Sequence, residues 1–526
     1  LPNGLSVALI VLLAANYFGT FGDLDYTWQI RTGEIIVRTG DLQPSDHFTY
    51  TIAGKKLPDF EWLYDASLWL LWDHLGYGGL KLLKSLLVAS TLLLVAWRLR
   101  VAGIQWRGIA FAMTIAVATL APAWNLRPLY CSTIGLLVVS GWLHDHCVGR
   151  KPLPWWLPAV MLLWANTHPM VLMGQALLVG AIVWEWLNSW CKLNRPLDRP
   201  ALRRLTAVAG LGLLATLVSP APLERLLYPF RPEVSEPIQR VFVEMRPLYT
   251  TVTKQPYTSG FIYVVAAMAA VTVTVRFRQY RAWEIMLLSA LTLLANIAAR
   301  AAQDWLLIML ALTLPHAVEL LRQQALRDRK RLWVRWALRL DSGWKRAWIS
   351  PLLRFQWQWP TLAAALLAVL SLIPASARAM PRQDDDEWPR AALDFLEARG
   401  FGGNFFGPPE YGAYVTWRLG DRARCYADTR GFYFPAVVLE DSHYLPQLGP
   451  DWRQRMDRVL DEYRTDYFIL ETKGARGELW RSLQSSVGGD AIYQDEQTVV
   501  LTSDTVRRGM QSREVAVVPK SQLHRR

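Results

Sequence analysis

Apolar runs of roughly 15–19 residues recur along most of this chain, each bounded by a short polar stretch; a helix needs about that length to cross ~30 Å of hydrocarbon. The runs are Leu5–Phe21, Gly79–Trp97, Ile109–Trp124, Leu129–Leu143, Trp155–Thr167, Val171–Leu187, Leu205–Val218, Thr258–Val275, Trp283–Ala299, Trp305–Leu321 and Trp359–Ala375. They predict about eleven transmembrane helices. Trp and Tyr gather at many of their ends, as interfacial anchors do. The strands of a membrane barrel would alternate apolar and polar residues, and these runs do not.

From Arg382 the pattern changes to charges throughout. Helix-period stretches at Glu387–Arg399, Tyr411–Leu419, Trp452–Tyr463 and Glu478–Ser485 alternate with strand candidates at Phe405–Phe406, Arg424–Tyr426 and Tyr467–Leu470. Ile492–Tyr493 and Thr498–Leu501 read as a closing hairpin. Such alternation predicts a small α/β domain. The expected chain is a mainly α membrane protein. It has a transmembrane domain over 1–378 with a long first outer loop at 22–75, an α/β domain over 379–503, and a loose basic tail over 504–526.

Basic residues fall in alternate loops. Arg98, Arg100 and Arg107 lie in one, Arg150 and Lys151 in the next, then Lys192, Arg195, Arg199, Arg203 and Arg204, then Arg276, Arg278 and Arg281. The stretch Arg322–Arg354 adds ten more Lys and Arg. By the positive-inside rule that face is cytoplasmic. The opening loop, the Ser219–Tyr257 loop and everything after Ala375 are then outside. The same asymmetry accounts for the formal charge of +13, so no nucleic-acid partner is expected. A hydrophobic content of 52% and 26 Trp residues fit this reading. Cys131, Cys147, Cys191 and Cys425 show no CxxC or zinc spacing. The first run lacks a small-residue cleavage site followed by a soluble domain and reads as a retained transmembrane helix.

The densest polar stretch follows that first run: GDLDYTWQIRTGEIIVRTGDLQPSDHFTYTIAGKKLPDFEW, Gly22 to Trp62. Asp23 and Asp25 stand at its mouth. Carboxylates at i and i+2 on an extended backbone can accept a proton from an acceptor group or hold a divalent cation. Phe60–Leu75 reads either as an interfacial helix ending at Gly76 or as the start of a long second span near Leu63. Further charged or polar groups lie at outer turns: Arg127 in WNLRPLY, Asn166 and His168 in LLWANTHPM, Glu244 and Arg246 in VEMRP, and Arg300 with Asp304, which can pair at i and i+4 if helical. Arginines there can bind a phosphate bidentately. Ion pairs between helices are the plain alternative for each. His144 and His146 form an HxH on the opposite face, with no third ligand nearby.

Together these residues resemble the GT-C superfamily of bacterial membrane glycosyltransferases. Asp23, Asp25, Trp28, Gly33 and Ile36 match an opening D-x-D-x-W-W-H-x-x-x-G-x-x-I pattern. Pro44, Asp46, Phe48, Tyr50 and Thr51 match P-x-D-P-F-S-Y-T, and Glu61, Trp62 and Leu63 match E-W-L. Leu163 to His168 matches L-W-A-N-x-H, and Arg127 with Pro128 matches an R-P pair before a span. Tyr411 to Trp417 resembles Y-G-G-Y-L-x-W, and Asp428 with Arg430 resembles D-x-R.

The resemblance implies a polytopic enzyme of the bacterial cytoplasmic (inner) membrane. It would take a sugar from a polyprenyl-phosphate donor at the outer face and pass it to a glycan, lipid or protein acceptor. It implies Asp25 or Asp23 as base or as ligand of a divalent cation, Mg or Mn. Arg127, Asn166, His168, Glu244, Arg246, Arg300 and Asp304 would line the phosphate and substrate site. The sequence departs from the pattern at Gln29, where the family has His, at Pro169, and at Ser219-Pro220-Ala221-Pro222 in place of an N-P-Y-G turn. The alternative reading is a non-catalytic GT-C-like accessory subunit that docks on membrane-protein partners.

Overall fold

A computed structural model of the chain describes residues 25–120, 125–227, 238–251, 259–327 and 388–511. The described residues form two compact units: 59–227 with 243–327, and 25–58 with 238–242 and 388–511. Helix α1 (Asp25–Thr39) opens the second unit.

The first unit is all helical: α2 (Trp62–Val101), α3 (Trp106–Leu120), α4 (Leu129–Cys147), α5 (Leu157–Ala165), α6 (Val171–Cys191), α7 (Arg199–Ala215), the short α8 (Pro222–Leu227), α9 (Ser259–Val275), α10 (Ala282–Ile297) and α11 (Ala302–Arg327). Every predicted apolar run in the described residues falls on one of these helices; Leu5–Phe21 and Trp359–Ala375 lie outside the described residues. Among the described residues three helices are long and apolar enough to cross a membrane, Trp62–Val101, Val171–Cys191 and Ala299–Gln324, while α9 and α10 are apolar but shorter. Apolar side chains such as Trp190, Leu214, Val271 and Leu293 face outward on this bundle. That is the inverse of a water-soluble surface, and the chain is a membrane protein.

Helix α2 has 40 residues. Straight, it would reach ~60 Å, about twice the hydrocarbon thickness. It is broken at Gly76 (φ 58°, ψ −149°), a backbone region that only glycine enters without strain. Residues 62–75 are thus a helix of their own, set off from the apolar stretch that follows.

Trp164 of α5 is packed between two neighbouring helices. Gly135 of α4 and Gly174 of α6 both lie against its indole, and a Cβ on either would fall 2.5 Å from ring carbons. Small residues bring helix backbones close in this way where no hydrophobic effect drives helices together. Trp164 Nε1 donates to Ser132 Oγ at 2.7 Å, so the ring's one polar atom is also satisfied.

The second unit is an α/β domain with α12 (Arg390–Ala398), β1 (Gly403–Phe406), α13 (Pro409–Leu419), β2 (Ala423–Cys425), α14 (Ala436–Tyr444), α15 (Trp452–Asp457), β3 (Tyr467–Glu471), α16 (Glu478–Val487), β4 (Tyr493–Gln494), β5 (Thr498–Thr502) and α17 (Ser503–Gln511). The sheet order is β2-β1-β3-β5-β4. β1 runs parallel to β2 and β3, while β5 is antiparallel to β3 and β4. Phe405, Phe406, Tyr426, Phe468 and Trp480 fill its core. Residues 504–511, expected in a loose tail, are helical. Gly509 of α17 closes on Leu483 and Val487, which gives this amphipathic helix an apolar face to bury. Asp25 lies in the first described turn of α1. Asp23 lies outside the described residues.

Residues 42–58 pack with this sheet. Cys425 N donates to Phe48 O at 2.9 Å and Tyr50 N to Cys425 O at 3.2 Å, so the loop pairs with the edge strand β2. Arg430 then locks the loop in place. It is buried, with Nη2 at 2.6 Å from both Asp46 and Asp428 and its guanidinium 4.8 Å from the Phe48 ring centre. Burial disfavours its charge, but Asp428 and then Asp46 raise its affinity for the proton well above the ordinary arginine value. Replacing Arg430 by Ala strands two buried carboxylates, which costs about 3–5 kcal/mol. Thermal and denaturant unfolding of the full chain in detergent should show that loss, together with new protease cutting in 42–58. A loss under about 1 kcal/mol, the surface-pair range, would contradict the lock.

Candidate functional site

In the first unit the turns before α4, between α5 and α6, before α9 and between α10 and α11 carry most of the residues singled out in the sequence. Local folding places each one.

Asn166 caps the C-terminus of α5. Its Oδ1 accepts from Trp62 Nε1 at 2.7 Å, and its Nδ2 donates to Leu162 O at 2.8 Å and Val218 O at 2.9 Å. The amide is fully used and joins the start of α2 to the ends of α5 and α7. Arg225 on α8 was not singled out from the sequence. It is buried and donates to Ala165 O at 2.7 Å, Thr216 O at 2.8 Å and Ser219 Oγ at 2.9 Å. Its charge sits on the carbonyl ends of α5 and α7, where a helix dipole favours a cation.

His168 is buried, with Nδ1 2.7 Å from Ser132 Oγ and Nε2 3.5 Å from Glu61 Oε1. Trp164 donates to the same serine hydroxyl, which still has its own hydrogen to give to Nδ1. Met170 N also approaches Nδ1, at 3.4 Å. Nδ1 is therefore an acceptor and the ring is neutral, with its hydrogen on Nε2 facing Glu61. Burial and then the Arg300 charge push the His168 pKa down to about 3.

Arg127 donates from Nη1 to Glu244 Oε1 at 2.7 Å. Burial favours the neutral acid at Glu244, but Arg127 and then Arg300 outweigh it and hold the carboxyl below its usual range. Arg246 accepts Ala299 N at its carbonyl, 2.8 Å away, which sets the 243–251 segment against the α10–α11 turn. Asp304 is fully buried on the first turn of α11. Thr133 Oγ1 donates to its Oδ1, and Gln303 Nε2 reaches the same hydroxyl at 3.2 Å. Its Oδ2 has no hydrogen-bond partner among the described residues.

Arg300 is in a 3-10 turn (Ala299–Ala301), so the helical i, i+4 pair with Asp304 is not made. Nη1 touches Met245 Sδ at 3.9 Å. Among the described residues it forms no salt bridge, and its charge is felt at Glu244, His168 and Asp304. Of the arginines at these turns, Arg127 is committed to a carboxylate and Arg225 to carbonyls. Arg300 is half-buried and without a carboxylate, which is the state that suits an anion.

In the second unit, Asp25 is half-buried at the N-terminus of α1, whose dipole favours a carboxylate there. Tyr26, Thr27, Gln29 and Ile30 behind it are buried, so α1 is seated by the face that carries Gln29. Arg31 ties α1 to Asp421 at 2.9 Å and to Glu34 at 2.6 Å. On the opposite end of the first unit, His144 bonds Glu284 at 2.7 Å and His146 lies against Lys151 O and Ala201 O, so the HxH is absorbed by packing. Among the described residues no group of three or more His, Cys, Asp or Glu stands ready to hold a metal ion.

No protein-family model matches the sequence, and neither does any curated protein. Solved structures do match. The archaeal oligosaccharyltransferase AglB of Archaeoglobus fulgidus, in complex with an inhibitory peptide and a dolichol-phosphate, aligns with a TM-score of 0.53 at 12% identity, over 89% of this chain and 69% of that one. The apo form of the A. fulgidus oligosaccharyltransferase gives 0.54 at 10% identity over the same shares. Its complex with Zn and sulfate gives 0.53 at 10% identity, over 92% of this chain and 69% of that one. The likeness is one of fold. The chain shares the fold of these archaeal oligosaccharyltransferase structures.

The buried neutral His168 has a measurable consequence. Below pH 6.5 the unfolded chain takes up a proton that folded His168 refuses until about pH 3. Stability at this residue is full above pH 6.5 and falls as the pH drops toward 3, by up to about 1.4 kcal/mol per unit. His168→Gln should unfold more easily at pH 7.5 yet lose less stability than the parent between pH 6.5 and 4.5. Equal acid sensitivity in the two proteins would show that His168 is charged in the fold.

Proposed function

We propose that this chain is a membrane glycosyltransferase that moves a sugar from a polyprenyl-phosphate donor to an acceptor at the outer face of a bacterial inner membrane. The observation that carries the reading is the fold match over 89% of the chain to a structure that holds a dolichol-phosphate. In this reading the helices number about eleven, and the α/β domain and the first loop lie outside the cytoplasm.

The reaction divides into three tasks. A base removes the acceptor's proton, the acceptor oxygen or nitrogen attacks the anomeric carbon in line, and the bond from that carbon to the phosphate oxygen breaks. Asp25 takes the proton; it is a carboxylate at a helix N-terminus, half-buried, in the loop that follows the first apolar run. Asp23 is its companion. The leaving polyprenyl phosphate carries the negative charge away. Arg300 stabilises that charge, since it is half-buried with neither a carboxylate nor a backbone carbonyl bonded to its guanidinium among the described residues, and the Arg127–Glu244 pair holds the 243–251 segment beside it. Attack opposite the leaving group inverts the anomeric centre.

A solved neighbour was crystallised with Zn and sulfate. In this chain the described residues do not assemble a ligand set for Mg or Mn, so no step is drawn through a cation.

Transfer of a radiolabelled sugar from synthetic polyprenyl phosphate, with the full chain in proteoliposomes, is the test. Asp25→Asn should lower kcat by about 10²- to 10⁴-fold while the thermal midpoint holds. Arg300→Gln should lower kcat/KM for the donor by about 10- to 100-fold, and Arg300→Lys should restore part of it. Unchanged turnover in Asp25→Asn removes that residue as base. A wild-type chain that consumes none of a panel of lipid-linked sugars removes the enzyme reading.

A further inference from the structure

The opposite end of the first unit carries a charged surface that the transfer reaction does not use. Lys192, Arg195, Arg199 and Arg203 are exposed between the end of α6 and the first turns of α7, and among the described residues none of them forms a salt bridge. Nearby acids are spoken for. Asp198 caps α7 by accepting Ala201 N at 2.9 Å, and Glu185 is buried against Arg281 at 3.3 Å.

Hydrogen bonds add two more cations to the same surface. Arg150 Nη2 donates to Arg195 O at 3.2 Å and Pro196 O at 3.1 Å, and Asn194 Nδ2 donates to Arg278 O at 2.8 Å. Arg150 and Arg278 are exposed as well. Arg199 and Arg203 are four apart on one helix, so they project from one face of α7. Like charges on one face repel, at a cost that an anion removes.

A second observation lies beside this cluster. Trp190 is 83% exposed, and Trp186, Trp155 and Trp156 are about half exposed. Trp186 Nε1 donates to Thr206 of α7 at 2.9 Å, and the Arg204 guanidinium lies 5.1 Å from the Trp155 ring centre. Exposed indoles at the end of an apolar helix mark the depth of the headgroup layer. The cations therefore stand at headgroup level rather than in bulk water.

We propose that this surface of α6, α7 and their loop binds anionic phospholipid headgroups. The phosphate sits among Lys192, Arg195, Arg199 and Arg203, and the acyl chains lie along the apolar faces below the tryptophans. The occupant is the lipid and not a free anion, because the indoles place the cations where acyl chains must follow.

The test uses the purified full chain in neutral detergent. Its thermal midpoint is titrated with phosphatidylglycerol, with phosphatidylcholine and with inorganic phosphate. Phosphatidylglycerol should raise the midpoint at concentrations where the other two do not. Each basic residue near an anionic surface contributes about fivefold, so Arg199→Gln with Arg203→Gln should raise the half-effective lipid concentration about 30-fold. A second pair, Lys192→Gln with Arg195→Gln, should act in the same direction and serves if the first does not fold. Equal shifts with phosphatidylcholine or with phosphate would overturn the proposal. So would a phosphatidylglycerol response retained in a folded double variant.

Discussion

Arg430 is the constraint on which the second unit depends. A guanidinium taken out of water is tolerable only if its charge is met where it lies. Asp428 meets it from the exit of β2, and Asp46 meets it from a segment 384 residues earlier in the chain. That bond, with the backbone pairing of Phe48 and Tyr50 to Cys425, makes the first loop an edge of the sheet. An edge strand left open invites pairing with other chains, and here the protein's own loop covers it. The consequence reaches α1. Its Arg31 bonds Asp421, next to β2, so the helix that begins at Asp25 is carried by the α/β domain. The aspartate that follows the first apolar run in sequence is, in packing, a residue of the C-terminal fold.

This explains what could and could not be read from the sequence. Long-period hydrophobicity depends on local composition, so each apolar run in the described residues appears as a helix. Strand positions in the α/β domain also came within a residue or two, because β-branched and aromatic residues cluster there between turn signals. Helix α1 was hidden. Asp25–Thr39 has charges on its exposed side and buries Tyr26, Ile30 and Ile36 against partners far along the chain. A short amphipathic segment beside a membrane span reads as a polar loop when that partner is unknown. Helix α17 was hidden for the same reason, since its stability comes from the fit of Gly509 to Leu483 and Val487. The division of roles among the arginines was likewise out of reach, because it depends on which carboxylate or carbonyl lies across a turn.

The polar groups inside the first unit sort by what holds them. Asn166, neutral His168 and Arg225 each meet fixed protein atoms, and removing one would leave its partners buried and unpaired. Groups of that kind explain why helix ends meet at given angles. Trp164 and Ser132 spend their hydrogens within the chain that ends at His168.

Arg300 is of the other kind. Its charge lies against a thioether and lowers the proton affinity of His168 and Glu244 without being cancelled by either. Glu244 is already held by Arg127. Asp304 is fixed by Thr133, on α4, and the 3-10 turn at Ala299–Ala301 keeps Arg300 off the helix face that would pair with it. The local fold thus withholds two nearby carboxylates from one half-buried guanidinium. A cation kept uncompensated at that depth costs stability, and under the proposed function an anion held there would offset that cost.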